Sequence, residues 1–238
     1  MRMQWRHLLF MHWPVEPSML RPLIPDSLEI DTFDGRAWVG LVPFTMRDVL
    51  PTIIPKLPGV SDLPAISAFH ECNVRTYVTP KSSRSGEPPM PGVWFFSLDA
   101  ASRAAVWGAR TFFHLPYFHA RMSLRRDGDR IEYATRRPDQ PSAALQCVWT
   151  AGDRLPPSQP GEIAHFLTER YCLYVTDRRG QLRCSRIWHE PWPLRNVELN
   201  SLEDGLLTAA GITVDHRQPP LLHHADELDV RVWSLERC

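Results

Sequence analysis

Between Ala105 and Met122 the chain reads AVWGARTFFHLPYFHARM, with His114 and His119 flanking LPYF and Trp107, Arg110, Tyr117 and Arg121 close by. Imidazoles bind ligands or carry protons near neutral pH. The Tyr117 phenol offers a hydrogen bond to a ligand carbonyl. Guanidinium groups such as Arg75, Arg110 and Arg121 grip a carboxylate or phosphate through two parallel hydrogen bonds. The same residue types have plainer uses, since histidines among aromatics pack in cores and arginines form surface ion pairs. The stretch holds no lysine and no acid, so it describes the wall of a ligand site better than a reaction centre.

The nearest acid with a chemical reading is Glu71 in AFHECNVRTYV. Side chains alternate along a strand, so Phe69, Glu71, Asn73 and Arg75 share one face and His70, Cys72 and Val74 the other. If the first face is buried, it forms a polar strip with one carboxylate and one guanidinium. Parity leaves open which face that is. Burial would raise the Glu71 pKa toward neutrality, as a general base requires. In HFLTERYCLYV, Glu169, Arg170 and Tyr171 read as an ion-paired junction between a helix and a strand.

Other chemistries find little support. LLHHADELD offers His223, His224, Asp226 and Glu227, but adjacent histidines on a strand point to opposite faces. With no HExxH and no cysteine pair at zinc spacing, neither a metal site nor a cofactor is expected. There is no GxSxG elbow for a nucleophilic triad, and no glycine-rich loop for a nucleotide phosphate.

Lys+Arg and Asp+Glu balance at 27 each among 238 residues, so overall charge draws the protein to neither nucleic acid nor an anionic membrane. Lys56 and Lys81 are the only lysines. Any mechanism that needs an amine side chain therefore has two candidates. The five cysteines form no CxxC, the first residues lack a signal-peptide pattern, and no run has the length of a membrane helix. A reducing cytoplasm is expected. With 43% apolar residues and no break in composition, 1–238 reads as a single domain.

The elements that must position these residues are mostly strands. SLEIDTFDGRAWVGLVPF predicts a hairpin turning at Asp34-Gly35, with Ile30 opposite Val39 and Leu28 opposite Leu41. ARMSLRRDGDRIEYATRR predicts another turning at Asp127-Gly128, pairing Leu124 with Ile131 and Met122 with Tyr133, with Arg125 and Arg130 on the opposite face. Further strands are expected at AFHECNVRTYV, GVWFFSL, AALQCVW, RYCLYVTD, QLRCSRIW and LDVRVWSL. Helices are expected after an Asp99 cap, with Ala101, Ala105, Gly108 and Phe112 on one stripe, in GEIAHFLTER, and from Ser201 to before Gly211.

LLFMHWPVEPSMLRPLIPDSLEIDTFDGRAWVGLVPF, NVRTYV, GVWFFSLDAASRAAVWGAR, LPYFHARM, LTERYCLY and LDVRVWSLERC together resemble the YqjF-like bacterial family of unknown function. That family is similar in turn to the acetoacetate decarboxylase-like superfamily. The resemblance implies a mainly β (α+β) fold, an acetoacetate decarboxylase-like antiparallel β-barrel with a few flanking helices. It also implies a departure from decarboxylase chemistry, which uses a neutral lysine to form a Schiff base after a WGFPKK-like turn. Here the matching VWGARTFF places Arg110, Thr111 or Phe112 where that lysine would fall, and arginine cannot be the amine nucleophile. The decarboxylase glutamate falls approximately at Glu71.

The expectation is a barrel cavity holding a small carboxylic or keto acid, lined by Arg75, Trp107, Arg110, His114, Tyr117 and His119. Two alternatives stand beside it: a lysine-independent acid–base enzyme in which Glu71 works with a histidine or arginine, and a structural or partner-binding barrel with no catalysis. No feature fixes the oligomeric state.

Overall fold

The computed structural model describes residues 1–50, 68–82 and 89–238, without the side chain of Leu50. Seven of its strands hydrogen-bond into a closed ring: β1 (Arg2–Val15), β3 (Ala37–Leu50), β4 (Ala68–Pro80), β5 (Gly92–Ala100), β10 (Cys172–Thr176), β11 (Leu182–His189) and β13 (Leu221–Val232). Pairing of Ile187 with Val232 closes the circle between β11 and β13. Every contact in the ring is antiparallel except β5–β10, a two-pair parallel seam. Closure leaves these strands without a free edge.

Side chains from all seven strands meet in one buried cluster inside the ring, among them Phe10, Phe44, Leu98, Leu173, Ile187 and Val230. A second core lies outside it. There β12 (Leu194–Asp204), β9 (Gln140–Arg154), β8 (Arg130–Arg137) and β7 (Arg121–Asp127) continue the sheet beyond β13. Their Trp149, Tyr133 and Leu145 join one cluster with Met11, Trp13, Leu41 and Val74 from the outer face of β1, β3 and β4. Both faces of β4 are consequently covered. Glu71, Asn73 and Arg75 lie in the ring, while Cys72 and Val74 lie in the outer core, and all five are buried.

A bulge decides which residues of β1 point inward. His7 has φ 54, and the register against β3 shifts between Arg6 and Met11. Met3 and Trp5 before the bulge and Leu8 and Phe10 after it all reach the inner cluster, which strict alternation forbids. His12 follows Phe10 at the inward spacing and is fully buried.

Several local expectations change. The turn at Asp34-Gly35 forms with both residues at positive φ, but only Phe33 and Arg36 bridge across it. Leu28 pairs with Pro80 instead of Leu41, and Ile30 with Val78 instead of Val39, because β2 (Leu28–Ile30) joins β4. β3 has no edge to spare, being bonded to β1 and β4 on its two sides. The second hairpin turns one residue later than expected, at Gly128-Asp129, with Gly128 at φ 58. Leu124 therefore meets Tyr133, and Met122 meets Thr135. A shift of two positions keeps every side chain on its face.

Helix α2 (Arg103–Phe112) is capped by Ser102, whose hydroxyl accepts from the Ala105 N–H at 3.2 Å; Asp99 belongs to β5. Val106 is the buried residue of α2 and Phe112 is exposed, contrary to the expected stripe. The remaining helices are short: α1 (Pro17–Leu20), α3 (Ile163–Thr168) and α4 (Leu206–Ala209). Ser201 lies in β12, and the Asp204 carboxylate accepts from the Leu206 N–H at 2.8 Å at the start of α4. No helix among the described residues is long and apolar enough to cross a membrane.

Candidate functional site

Three neighbouring strands place one row of residues across the inside of the ring. His12 of β1 is in register with Gly40 of β3, and Gly40 with Arg75 of β4. A side chain on Gly40 would leave no room, because an added Cβ would lie 2.9 Å from His12 Nε2 and 3.4 Å from Arg75 Cγ. The glycine thus lets an imidazole and a guanidinium converge from either side.

Two residues further along β4, on the same face, is Tyr77, fully buried. Its hydroxyl donates to the Leu167 carbonyl at the end of α3 at 2.8 Å and lies 2.6 Å from His12 Nε2. Arg75 Nη2 donates to the same carbonyl at 3.2 Å, and the guanidinium rests over the Phe10 ring at 5.4 Å. Arg75 forms no ion pair among the described residues, although it is only 7% exposed. Burial first, then the neighbouring Arg75 and His223, push the His12 pKa well below its ordinary value. His12 is neutral at pH 7.

Buried polar atoms with no partner collect on this inner surface: Arg75 Nε, Asn73 Oδ1, His12 Nδ1, His223 Nδ1, and the indole nitrogens of Trp5 and Trp38. Buried polar groups are nearly always hydrogen-bonded, so each of these requires a reason. Arginine and indole N–H groups can only donate. Beside His12 the surface therefore offers a fixed positive charge and two spare donors, Arg75 Nε and the Trp38 indole two residues from Gly40, whereas Trp5 pairs with Met46 further along the ring.

Glu71 sits apart from this row. It is four residues from Arg75 on the same face, about 13 Å along the strand. The Tyr117 hydroxyl donates to Glu71 Oε2 at 2.8 Å. Burial, aided by the nearby Asp99, raises the Glu71 pKa to about 8 against the Tyr117 hydrogen bond, which lowers it. At neutral pH this carboxyl is mostly protonated and supplies no countercharge to Arg75. Behind it, on the outer face of the ring, Arg137 Nε donates to Asp99 Oδ1 at 2.8 Å, with the guanidinium 3.9 Å over the Phe118 ring.

The ring thus gathers Arg75 with His12, Tyr77 and His223, and separately joins Glu71 to Tyr117. It does not bring Glu71, Arg75 and a histidine together. Trp107 is 65% exposed on α2, edge-on to Phe112. Arg110 is also exposed, and its Nε donates to the Tyr117 carbonyl at 2.6 Å. His119, in β6 (Tyr117–His119), is partly buried opposite Ala100. His114, at φ 54, borders a cleft of about 340 Å³ at the β5–β10 seam together with Phe95, Leu115 and Val175. Arg121 borders a separate cleft of about 500 Å³ over β7, β8 and β9. Lys81 is exposed, and Lys56 lies outside the described residues.

Sequence reasoning missed His12, Gly40, Tyr77, Trp5 and Trp38. The signal for Tyr77 was present, since it continues the Glu71–Asn73–Arg75 alternation by one step. The opposite directions expected of His223 and His224 are observed: His223 pairs with Phe10 in the ring, and His224 accepts from Trp149 Nε1 in the outer core at 3.3 Å.

A family described as an uncharacterized conserved protein matches residues 2–229 of this chain. The chain is 41% identical over 237 residues to the uncharacterized protein YqjF of Bacillus subtilis (strain 168), covering 100% of this chain and 92% of the relative. Among solved structures it is similar to the enduracididine biosynthesis enzyme MppR complexed with pyruvate. That match has a TM-score of 0.65 and 12% identity, covering 99% of this chain and 89% of that one. It is also similar to acetoacetate decarboxylase from Legionella pneumophila, with a TM-score of 0.59 and 14% identity over 99% and 88% of the two chains. At such identities the structural likeness establishes the acetoacetate decarboxylase-like fold alone.

Proposed function

The chain belongs to the DUF2071 family of uncharacterized conserved proteins, and from that premise we propose that its ring interior binds a small organic acid, with the ligand carboxylate on Arg75. The observation that carries this reading is a buried guanidinium with no acidic partner among the described residues. An unpaired charge inside a protein costs several kcal/mol, and an anionic ligand offsets that cost. The unpartnered donors of Arg75 and Trp38 suit carboxylate and keto oxygens, which only accept. The cleft beside His114 is bordered by Phe95, the residue that pairs with Arg75 across β4 and β5. Pyruvate in the MppR complex is an acid of this size held by a similar fold. Five free cysteines accord with a reducing cytoplasm.

Titration calorimetry with pyruvate, acetoacetate and acetate tests the proposal. Arg75→Met should weaken binding about 10- to 100-fold, because hydrogen bonds to a charged group contribute about 1.5–3 kcal/mol. The ligand-free variant should keep its stability, since methionine removes the unpaired charge. Failure of every acid to bind, or equal affinity in the variant, refutes the reading.

A second reading, acid–base catalysis on such an acid, is favoured by Glu71 alone. A carboxyl with a pKa near 8 holds a transferable proton at neutral pH. No described lysine faces the ring, so imine chemistry is not part of either reading.

A further inference from the structure

The hydrogen bonds around Tyr77 fix the tautomer of His12. A carbonyl oxygen only accepts, so the single hydroxyl proton of Tyr77 is committed to Leu167 O at 2.8 Å. His12 Nε2, 2.6 Å from the Tyr77 oxygen, must then bring its own proton to that contact. In a neutral imidazole the other nitrogen is a bare acceptor. His12 Nδ1 is that nitrogen, and it is buried without a partner. Asn73 Oδ1, on the same inner face next to Arg75, is a second buried acceptor without a partner.

The His12 acceptor, within reach of Arg75 across Gly40, sets a requirement that a keto acid does not meet. A carboxylate and a ketone carry no donor, so they would satisfy Arg75 and the Trp38 indole while leaving His12 Nδ1 unpaired. Arg75 and His12 are held in register on either side of Gly40, close enough for a short ligand to reach both. We propose that the ring selects small hydroxy acids, with the carboxylate on Arg75 and an adjacent hydroxyl donating to His12 Nδ1. This rests on the acid-binding reading above and names the class of acid.

Calorimetry on the full chain with matched acids tests it: lactate, pyruvate and propionate, then malate, oxaloacetate and succinate. Leaving a buried acceptor unpaired is costly, so the hydroxy acid of each set should bind about tenfold or more tightly than its 2-oxo and unsubstituted counterparts. His12→Phe should abolish that preference while the acids still bind. If pyruvate or propionate binds as well as lactate, and the four-carbon set agrees, the hydroxy-acid proposal is overturned while acid binding on Arg75 stands. If no acid binds, both fall together. Should His12→Phe fail to fold, the wild-type protein gives an independent answer through nitrogen-15 NMR of the imidazole ring. The proposal requires protonated Nε2 and a bare Nδ1 whose resonance moves with lactate and not with propionate; a protonated Nδ1 overturns it.

Discussion

Replacing Glu71 by glutamine should make the protein less sensitive to alkali, and the size of the effect follows from burial. The folded carboxyl holds its proton up to about pH 8, against 4.5 for a free one. Folding therefore takes up a proton between those values, and stability falls as pH rises through that window. At about 1.4 kcal/mol for each pH unit the loss reaches about 5 kcal/mol above pH 8, and about 3 kcal/mol of it is already felt at pH 7. Glutamine mimics the protonated acid, accepts the same hydrogen bond from Tyr117, and cannot ionise. Guanidinium chloride unfolding at pH 5, 7 and 8.5 measures the difference. Glu71→Gln should gain on the wild type by a few kcal/mol between the first and last of these. Its fixed cost or benefit at pH 5 is immaterial, since only the change with pH reports the carboxyl. Parallel stability curves for the two proteins would show that Glu71 is ionised in the fold, and the account of a protonated, buried acid would fail.

Three other perturbations separate the parts of the molecule. Asp99→Ala strands the buried Arg137 guanidinium and should cost about 3–5 kcal/mol in chemical unfolding, with much of the loss recovered in Asp99→Ala/Arg137→Met. Gly40→Ala places a Cβ 2.9 Å from His12 Nε2 and should cost about 1–3 kcal/mol; calorimetry should show acid binding weakened by more than this loss of stability explains. Trp107→Ala removes a side chain that is 65% exposed, so its unfolding midpoint should change by less than about 0.5 kcal/mol, and acid affinity should be unchanged.

The strands of the ring were largely legible because most of them carry alternating patterns bounded by turns. β4 shows both the reach and the limit of such patterns. Its alternation groups Glu71, Asn73 and Arg75 correctly, yet says nothing about direction, because both faces are buried. β1 was unreadable for another reason. The bulge at His7 switches the inward residues from Met3 and Trp5 to Leu8 and Phe10, so no single period describes the strand, and His12 went unnoticed. β12 was mistaken at its end for a helix, where SLEDGLLTAAG holds the last strand residues and the first helical turn together. Arg75 could be read from sequence as a carboxylate grip. Its lack of an acidic partner among the described residues could not, since that depends on which strands adjoin it. Trp107, Arg110 and His114 attracted attention because they are adjacent in sequence, but α2 carries Trp107 and Arg110 on the outside and turns them away from the ring.

The place of β1 has a consequence for how the protein is made. Arg2 pairs on one side with Leu50 and on the other with Arg231, so the strand carrying His12 waits through nearly all of synthesis for one of its two neighbours. Until β13 leaves the ribosome the circle stays open, and one edge of β1 is available to other chains. Such distant pairings fold slowly and expose sticky edges meanwhile. A nascent chain stalled before residue 221 should thus engage chaperones and lack any affinity for acids, whereas one released after residue 232 should acquire both closure and binding in a single late step.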